Sequence, residues 1–397
     1  MSDSCRRVLS ALELREPDRV PVFDLMMEPS LVYSILGEKP GLADRLIADP
    51  RGAKAFDRLL PAANRSRFLK KAVVDALTDQ ELVRLAHASI EAGAGMGYDA
   101  VGVIFFPVFR MQDSRRFEDI YGRLYEAAIS ESGFLGDPIY RGGLIDGPDA
   151  WRALDKEPFF RLAARANEVF VDVQKRNAGR VFPFGMVSTG LFESTWQMMG
   201  FDRYVVAVRR QREFVSRVIK FLEDHICLTF EAMADAGVPG VLYSDDLAYR
   251  TGPMLNPRLL KEMFDDSYRR FVETAHTLGM KIMFHSCGNV SGLLEWFADC
   301  GFDAVNPLEP TAGMDLAEAK RAVGDRMCLV GNIDVTHVLV DADREEVFAA
   351  VRQAITDAGK GGGYILAPDH DHEGMSLERM RWMLEACREY GRYPLSA

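Results

Sequence analysis

The chain has 397 residues, 48% of them apolar and 27% charged, which is room for one large domain or two ordinary ones and excludes a disordered or fibrous chain. With 48 Lys and Arg against 59 Asp and Glu the formal charge is −11, so the chain as a whole carries no electrostatic footprint for a nucleic-acid backbone. No run approaches the roughly 18 apolar residues that a membrane helix needs.

In chain order, residues 1–14 contain no secretory apolar core, and the expected compartment is the cytoplasm. A first strand is expected over 20–24, followed by short helices and loops over about 25–79 and a helix over 80–93. A second strand over 100–106 leads into an irregular stretch, about 107–158, whose mixed runs and glycines predict an inserted loop or β-hairpin. From there short apolar runs alternate with longer amphipathic ones: strands over 181–188, 240–244, 281–285, 304–307, 327–331 and 363–367, and helices over 159–175, 201–236 in one or two pieces, 257–278, 290–300, 316–323, 345–358 and 377–390. Eight strands alternating with helices predict an α/β fold, a single (β/α)8 TIM barrel spanning residues 1–397 with N-terminal helical additions. Gly237, Gly279, Gly301 and Gly359 follow predicted helices and are expected in left-handed C′ positions. The six cysteines, at 5, 227, 287, 300, 328 and 387, form no CxxC pair and are expected to be mostly buried thiols.

The sharpest local feature is Met283-Phe284-His285-Ser286-Cys287-Gly288-Asn289, at the end of the fifth predicted strand. The C-terminal strand ends of a barrel carry its chemistry, and residues two apart on an extended chain point the same way. His285 and Cys287 thus offer an imidazole and a thiolate together, a pair that suits zinc; the competing reading is a core histidine beside a buried thiol. Glu309 and the run Asp369-His370-Asp371-His372 follow two further strands, where unpaired charge is costly to bury and a metal ion supplies the missing charge. His285, Cys287, Glu309 and His370 make a four-ligand set. Glu309 reads equally as a loop or helix cap, and Asp371 and His372 as solvated loop or outer support.

Tyr243-Ser244-Asp245-Asp246 ends the fourth strand. Adjacent carboxylates on an extended segment diverge, so one of Asp245 and Asp246 faces the cavity, there to bond substrate, orient His285 or donate a proton. A pair of helix N-caps is the alternative. Asn306, Asn332 and Asp334 are further polar candidates for the same mouth.

In their order along the chain, Tyr243-Ser244-Asp245-Asp246-Leu247, Gly252-Pro253 with Pro257, His285-Ser286-Cys287-Gly288, Gly331-Asn332-Ile333-Asp334 and Gly362-Gly363-Tyr364-Ile365-Leu366 resemble the uroporphyrinogen decarboxylase superfamily and, within it, the zinc-dependent corrinoid methyltransferases. The resemblance runs from about Pro17 to Tyr393 and is most specific in the C-terminal half. It implies a TIM barrel with zinc held by His285 and Cys287 and an acidic ligand near Glu309. The family's last ligand is usually a cysteine just after the eighth strand. Here that place reads Pro368-Asp369-His370, which makes His370 the substitute and Asp369 the fallback. A neutral imidazole in place of a thiolate leaves zinc the stronger Lewis acid, which leans toward polarising a methyl-bearing heteroatom.

The implied activity is demethylation of a small methylated substrate, a methoxylated aromatic, with the methyl group passing to the Co(I) corrinoid of a separate partner protein. Asp245 or Asp246 protonates or bonds the departing oxygen. Phe105, Phe106, Phe109, Phe182, Phe184, Met186, Phe192 and Trp196 are the expected apolar lining. Three readings compete: methyl transfer from a methyl-corrinoid protein to a thiol, tetrapyrrole decarboxylation, and a noncatalytic corrinoid-binding barrel. Against decarboxylation, residues 20–28 hold no arginine where the decarboxylases carry an arginine-rich segment. Neither nucleic acid nor membrane is an expected partner, and self-association rests on the resemblance alone.

Overall fold

The computed structural model describes residues 2–395 apart from 26, 40, 42–44, 46–47, 66–75, 106–109, 130–134, 187–188 and 371–373. Eight parallel strands form one sheet in chain order: β1 (Phe23–Asp24), β2 (Ala100–Ile104), β7 (Phe182–Met186), β8 (Gly240–Ser244), β11 (Lys281–His285), β12 (Ala304–Asn306), β13 (Cys328–Ile333) and β14 (Tyr364–Pro368). A parallel bridge between Val22 and Leu366, with Leu366 N donating to Pro21 O at 2.9 Å, brings the last strand to the first and nearly closes the ring. The expected strands are continuous apolar runs because both faces are buried, one in the barrel and one under the helices.

Phe23, Phe184, Leu242, Met283, Val330 and Ile365 fill the barrel interior together with Val8, Ala11 and Leu12 of the Asp3–Leu12 helix. That helix seals the end where the strands begin: Arg7 Nη1 donates to Asp99, immediately before β2, at 2.7 Å. The opposite end, where the strands finish, carries polar residues. In-register pairing of Ser244 with His285 and of His285 with Asn306 lines up three polar residues on that rim.

The helices begin where the capping residues stand. Asn256 Oδ1 accepts from Arg258 N at 2.9 Å before the Pro257–Thr277 helix, and Asp343 with Glu346 forms a capping box for the Arg344–Ala358 helix. The 201–236 stretch is two helices, Phe201–Arg210 and Arg212–Asp235. Gly237, Gly279 and Gly301 adopt positive φ as expected, but Gly359 does not. It keeps a right-handed φ of −72°, and a Cβ there would lie 2.6 Å from the Ile355 carbonyl oxygen; close packing is its reason to be glycine.

The insertion after β2 is larger than a hairpin. Strands β3 (Arg110–Met111), β4 (Arg116–Glu118), β5 (Arg123–Ile129) and β6 (Leu135–Gly143) make a four-stranded antiparallel sheet. The N-terminal addition contributes helices Pro29–Leu36 and Pro50–Arg65. A short hairpin, β9 (Ala248–Tyr249) with β10 (Gly252–Pro253), follows β8 on the rim. Among the described residues no helix is long and apolar enough to cross a membrane.

Candidate metal centre

His285 is the last residue of β11 and is buried. Two residues on, the half-buried Cys287 has its Sγ 3.5 Å from His285 Nε2, and its backbone N donates to Asp246 Oδ1 at 2.8 Å. The donor atoms of Asp246, His285 and Cys287 all lie within 4.8 Å of one another. Among the described residues this nitrogen, sulfur and carboxylate group is the one set of three placed to hold a metal ion.

The loop that presents Cys287 is held from both sides. Leu247 N donates to Ser286 Oγ at 3.0 Å, and Asn289 N donates to the Tyr249 carbonyl at 2.9 Å. Between them Gly288 takes φ +83°, where a Cβ would come 2.7 Å from the Ala248 carbonyl oxygen; only glycine combines that handedness with that approach. On its other side His285 Nδ1 lies 2.6 Å from Asn306 Oδ1.

The two adjacent aspartates part company. Asp246 turns to the imidazole and thiol. Asp245 is fully buried and accepts from Phe192 N at 3.1 Å, Glu193 N at 2.8 Å, Tyr243 Oη at 2.9 Å and Tyr268 Oη at 2.8 Å. It thereby caps the Leu191–Met199 helix and docks it onto the end of β8. Burial pushes the Asp245 carboxyl up to about 6, although all four donors pull it down.

Glu309 is buried and its Oε1 accepts from Gly288 N at 3.1 Å, so it braces the cysteine loop and stands outside the group of three. His370 is exposed at the end of β14 and is also outside that group. Asp369 is buried and accepts from Val335 N at 2.9 Å; burial, reinforced by Asp334 and Glu309, raises it to about 6 against that bond. Asn332 Nδ2 donates to the Leu308 carbonyl at 3.2 Å, and Asp334 caps the turn that follows β13, so both organise rim loops. Asp371, His372, Phe106 and Phe109 lie outside the described residues. Phe182 and Phe184 pack inside the barrel, while Phe192 stacks edge-on against Tyr204 and Phe264, so these aromatics are core and not lining.

One acid was not signalled by sequence. Glu193, in the first turn of the helix that Asp245 caps, accepts from Gln197 Nε2 at 2.7 Å. Burial, then the charges of Asp246 and Asp245, push it to about 8. A glutamate in a helical first turn is ordinary, and only the docking of that helix on β8 brings it to the site. Burial and then Asp246 and Glu309 raise the Cys287 thiol well above the ordinary cysteine range. Asp246, Glu309 and Glu193, the charges that act on the thiol, are all negative. A bound zinc ion would reverse that sign and take the sulfur as thiolate, and the donor set of imidazole, thiolate and carboxylate fits it.

The uroporphyrinogen decarboxylase (URO-D) family matches residues 167–390, a segment that includes all three cluster residues. Over 160 residues the chain is 29% identical to the methylcobamide:CoM methyltransferase MtaA of Methanosarcina barkeri, a match covering 40% of this chain and 44% of that protein; less than half of the relative's length is spanned. It is 34% identical over 99 residues to the uroporphyrinogen decarboxylase of Thioalkalivibrio sulfidiphilus, 25% of this chain and 27% of that one. The structure of a methyltransferase from Methanosarcina mazei aligns over 98% of both chains with a TM-score of 0.61 at 17% identity, a likeness of fold.

Proposed function

The chain belongs to the uroporphyrinogen decarboxylase (URO-D) family, and on that premise we propose that it is a zinc-dependent methyltransferase that demethylates a small methoxylated aromatic substrate and passes the methyl group to the Co(I) corrinoid of a partner protein. The observation that carries the proposal is the meeting of Asp246, His285 and Cys287 at the strand C-termini of a barrel whose other end is sealed. The similarity to a methylcobamide:CoM methyltransferase over 160 residues supports the corrinoid part.

His285, Cys287 and Asp246 would hold the ion, with Glu309, beside Cys287, the candidate fourth donor and His370 left to the rim. Zinc held there would supply Lewis acidity that makes the methyl-bearing oxygen a better leaving group. The methyl carbon would exchange its bond to oxygen for one to the partner's cobalt, which would supply the electron pair; the oxygen would keep both electrons of the broken bond and take a proton. Of the adjacent pair, Asp246 would serve as a zinc-bound carboxylate and so gives no proton, while Asp245 already accepts four hydrogen bonds and serves to hold the Leu191–Met199 helix in place. Glu193, whose carboxyl burial pushes up to about 8, is the acid that supplies the proton.

A second reading, transfer from a methyl-corrinoid protein to a thiol, is favoured by the MtaA similarity alone. Incubating the zinc-loaded protein with a reduced corrinoid protein and a panel of methoxylated aromatics separates the two. Formation of methyl-cobalt together with the free phenol supports demethylation. Methyl transfer solely from methylcobalamin to a thiol supports the second reading and overturns the first.

A further inference from the structure

His285 meets Asn306 through both backbone and side chain. The two residues are in register on β11 and β12, and Ser286 N donates to the Asn306 carbonyl at 3.0 Å. The Asn306 side chain is buried; its Nδ2 donates to the Val330 carbonyl of β13 at 3.2 Å, and its Oδ1 faces His285 Nδ1 at 2.6 Å. The carbonyl of Val330 can only accept, so the NH2 end of the amide must point to it and the oxygen end must point to the histidine. An oxygen acceptor at that distance requires a proton on Nδ1. A neutral imidazole with Nδ1 protonated carries its lone pair on Nε2, the atom 3.5 Å from Cys287 Sγ.

We propose that Asn306 is the positioning residue of His285: it fixes the Nδ1–H tautomer and the ring plane, so that the Nε2 lone pair is presented to the cluster before any ion arrives. The consequence for metal binding rests on the zinc reading above; the tautomer does not. Metal-bound histidines characteristically donate their second N–H to an outer acceptor that sets ring orientation and ligand basicity. Here the acceptor is a neutral amide, which orients the ring without adding the negative charge of a carboxylate behind it.

The test is a long-range ¹H–¹⁵N spectrum of the metal-free, full-length protein labelled at histidine, recorded above the titration range of histidine, with His285→Gln assigning the signal among the seven histidines. The expected wild-type signature is Nδ1–H. Asn306→Leu removes the acceptor and is expected to lose that signature and to weaken zinc binding roughly 10–100-fold in competition with a chelator. Asn306→Asp keeps an acceptor, and is expected to retain the signature and bind zinc as tightly as wild type or tighter. An Nε2–H signature in the wild type overturns the proposal. So does an Asn306→Leu protein with unchanged tautomer and unchanged zinc affinity. The wild-type signature is read without Asn306→Leu, so poor folding of that variant leaves the test standing. Wild-type protein that shows Nδ1–H yet binds no zinc supports the tautomer assignment and overturns the zinc reading alone.

Discussion

Cys287 and the two aspartates of the β8 end divide the work of the site, and sequence alone leaves the two aspartates equivalent. Cys287→Ser keeps the shape but exchanges sulfur for a much poorer zinc donor. With His285→Ala it is expected to drop metal content from one zinc per chain to a small fraction, read by elemental analysis after gel filtration; full retention in both variants counts against the centre. Asp245→Ala strips a partner from two amides and two hydroxyls. Each buried donor left unsatisfied costs about 1–3 kcal/mol, so a large fall in melting temperature is expected. Asp246→Asn keeps an oxygen to accept from Cys287 N, and is expected to melt close to wild type while binding zinc more weakly. Identical behaviour of the two variants in melting and zinc titration would contradict the division. Sequence showed that one carboxylate of the pair turns inward, because adjacent side chains on an extended strand diverge. Which one does so depends on where the Leu191–Met199 helix docks, a contact between segments about 50 residues apart.

The inserted sheet is tied to the barrel mouth by buried polar contacts. Arg123 Nε donates to Asp119 at 2.6 Å and its Nη1 to Gln197 Oε1 at 2.9 Å, and Gln197 in turn donates to Glu193. Arg123→Leu leaves Asp119 buried without its cation. The expected loss is about 3–5 kcal/mol in denaturant unfolding, and a loss under 1 kcal/mol would place the sheet's anchorage elsewhere. A second tie has a pH signature. His225 Nε2 meets Tyr121 Oη at 3.2 Å across the same junction, and burial lowers its pKa to about 4 from the ordinary 6.5. Between these values the unfolded chain binds more protons than the folded one, so stability from this group falls as pH drops from 6.5 toward 4. His225→Gln is expected to flatten that part of the slope in unfolding titrations run across the window; an unchanged slope refutes the assignment. The eight barrel strands were legible because they are continuous apolar runs between helical ones. The inserted strands were not: register shifts at Leu124/Tyr125 and Ala127/Ile129 break the two-residue alternation by which a half-buried strand is recognised.

The barrel as a body has one working end. The Asp3–Leu12 helix seals the other, and β8, β11 and β12 deliver Asp246, His285, Cys287 and Asn306 to the opposite rim from distant parts of the chain. The ordered motifs of the C-terminal half made the family and two of the three cluster residues legible as a metal pair. The carboxylate that joins them, Asp246, was read for proton chemistry, because its approach to Cys287 depends on how two rim loops pack. Zinc-edge X-ray absorption of the metal-loaded protein, wild type beside Cys287→Ala, tests the shared metal centre itself. The expected wild-type spectrum has one sulfur at about 2.3 Å and nitrogen or oxygen donors at about 2.0–2.2 Å, with the sulfur shell lost in the variant. A wild-type spectrum without a sulfur shell, or one that Cys287→Ala leaves unchanged, would contradict a zinc ion held between His285 and Cys287.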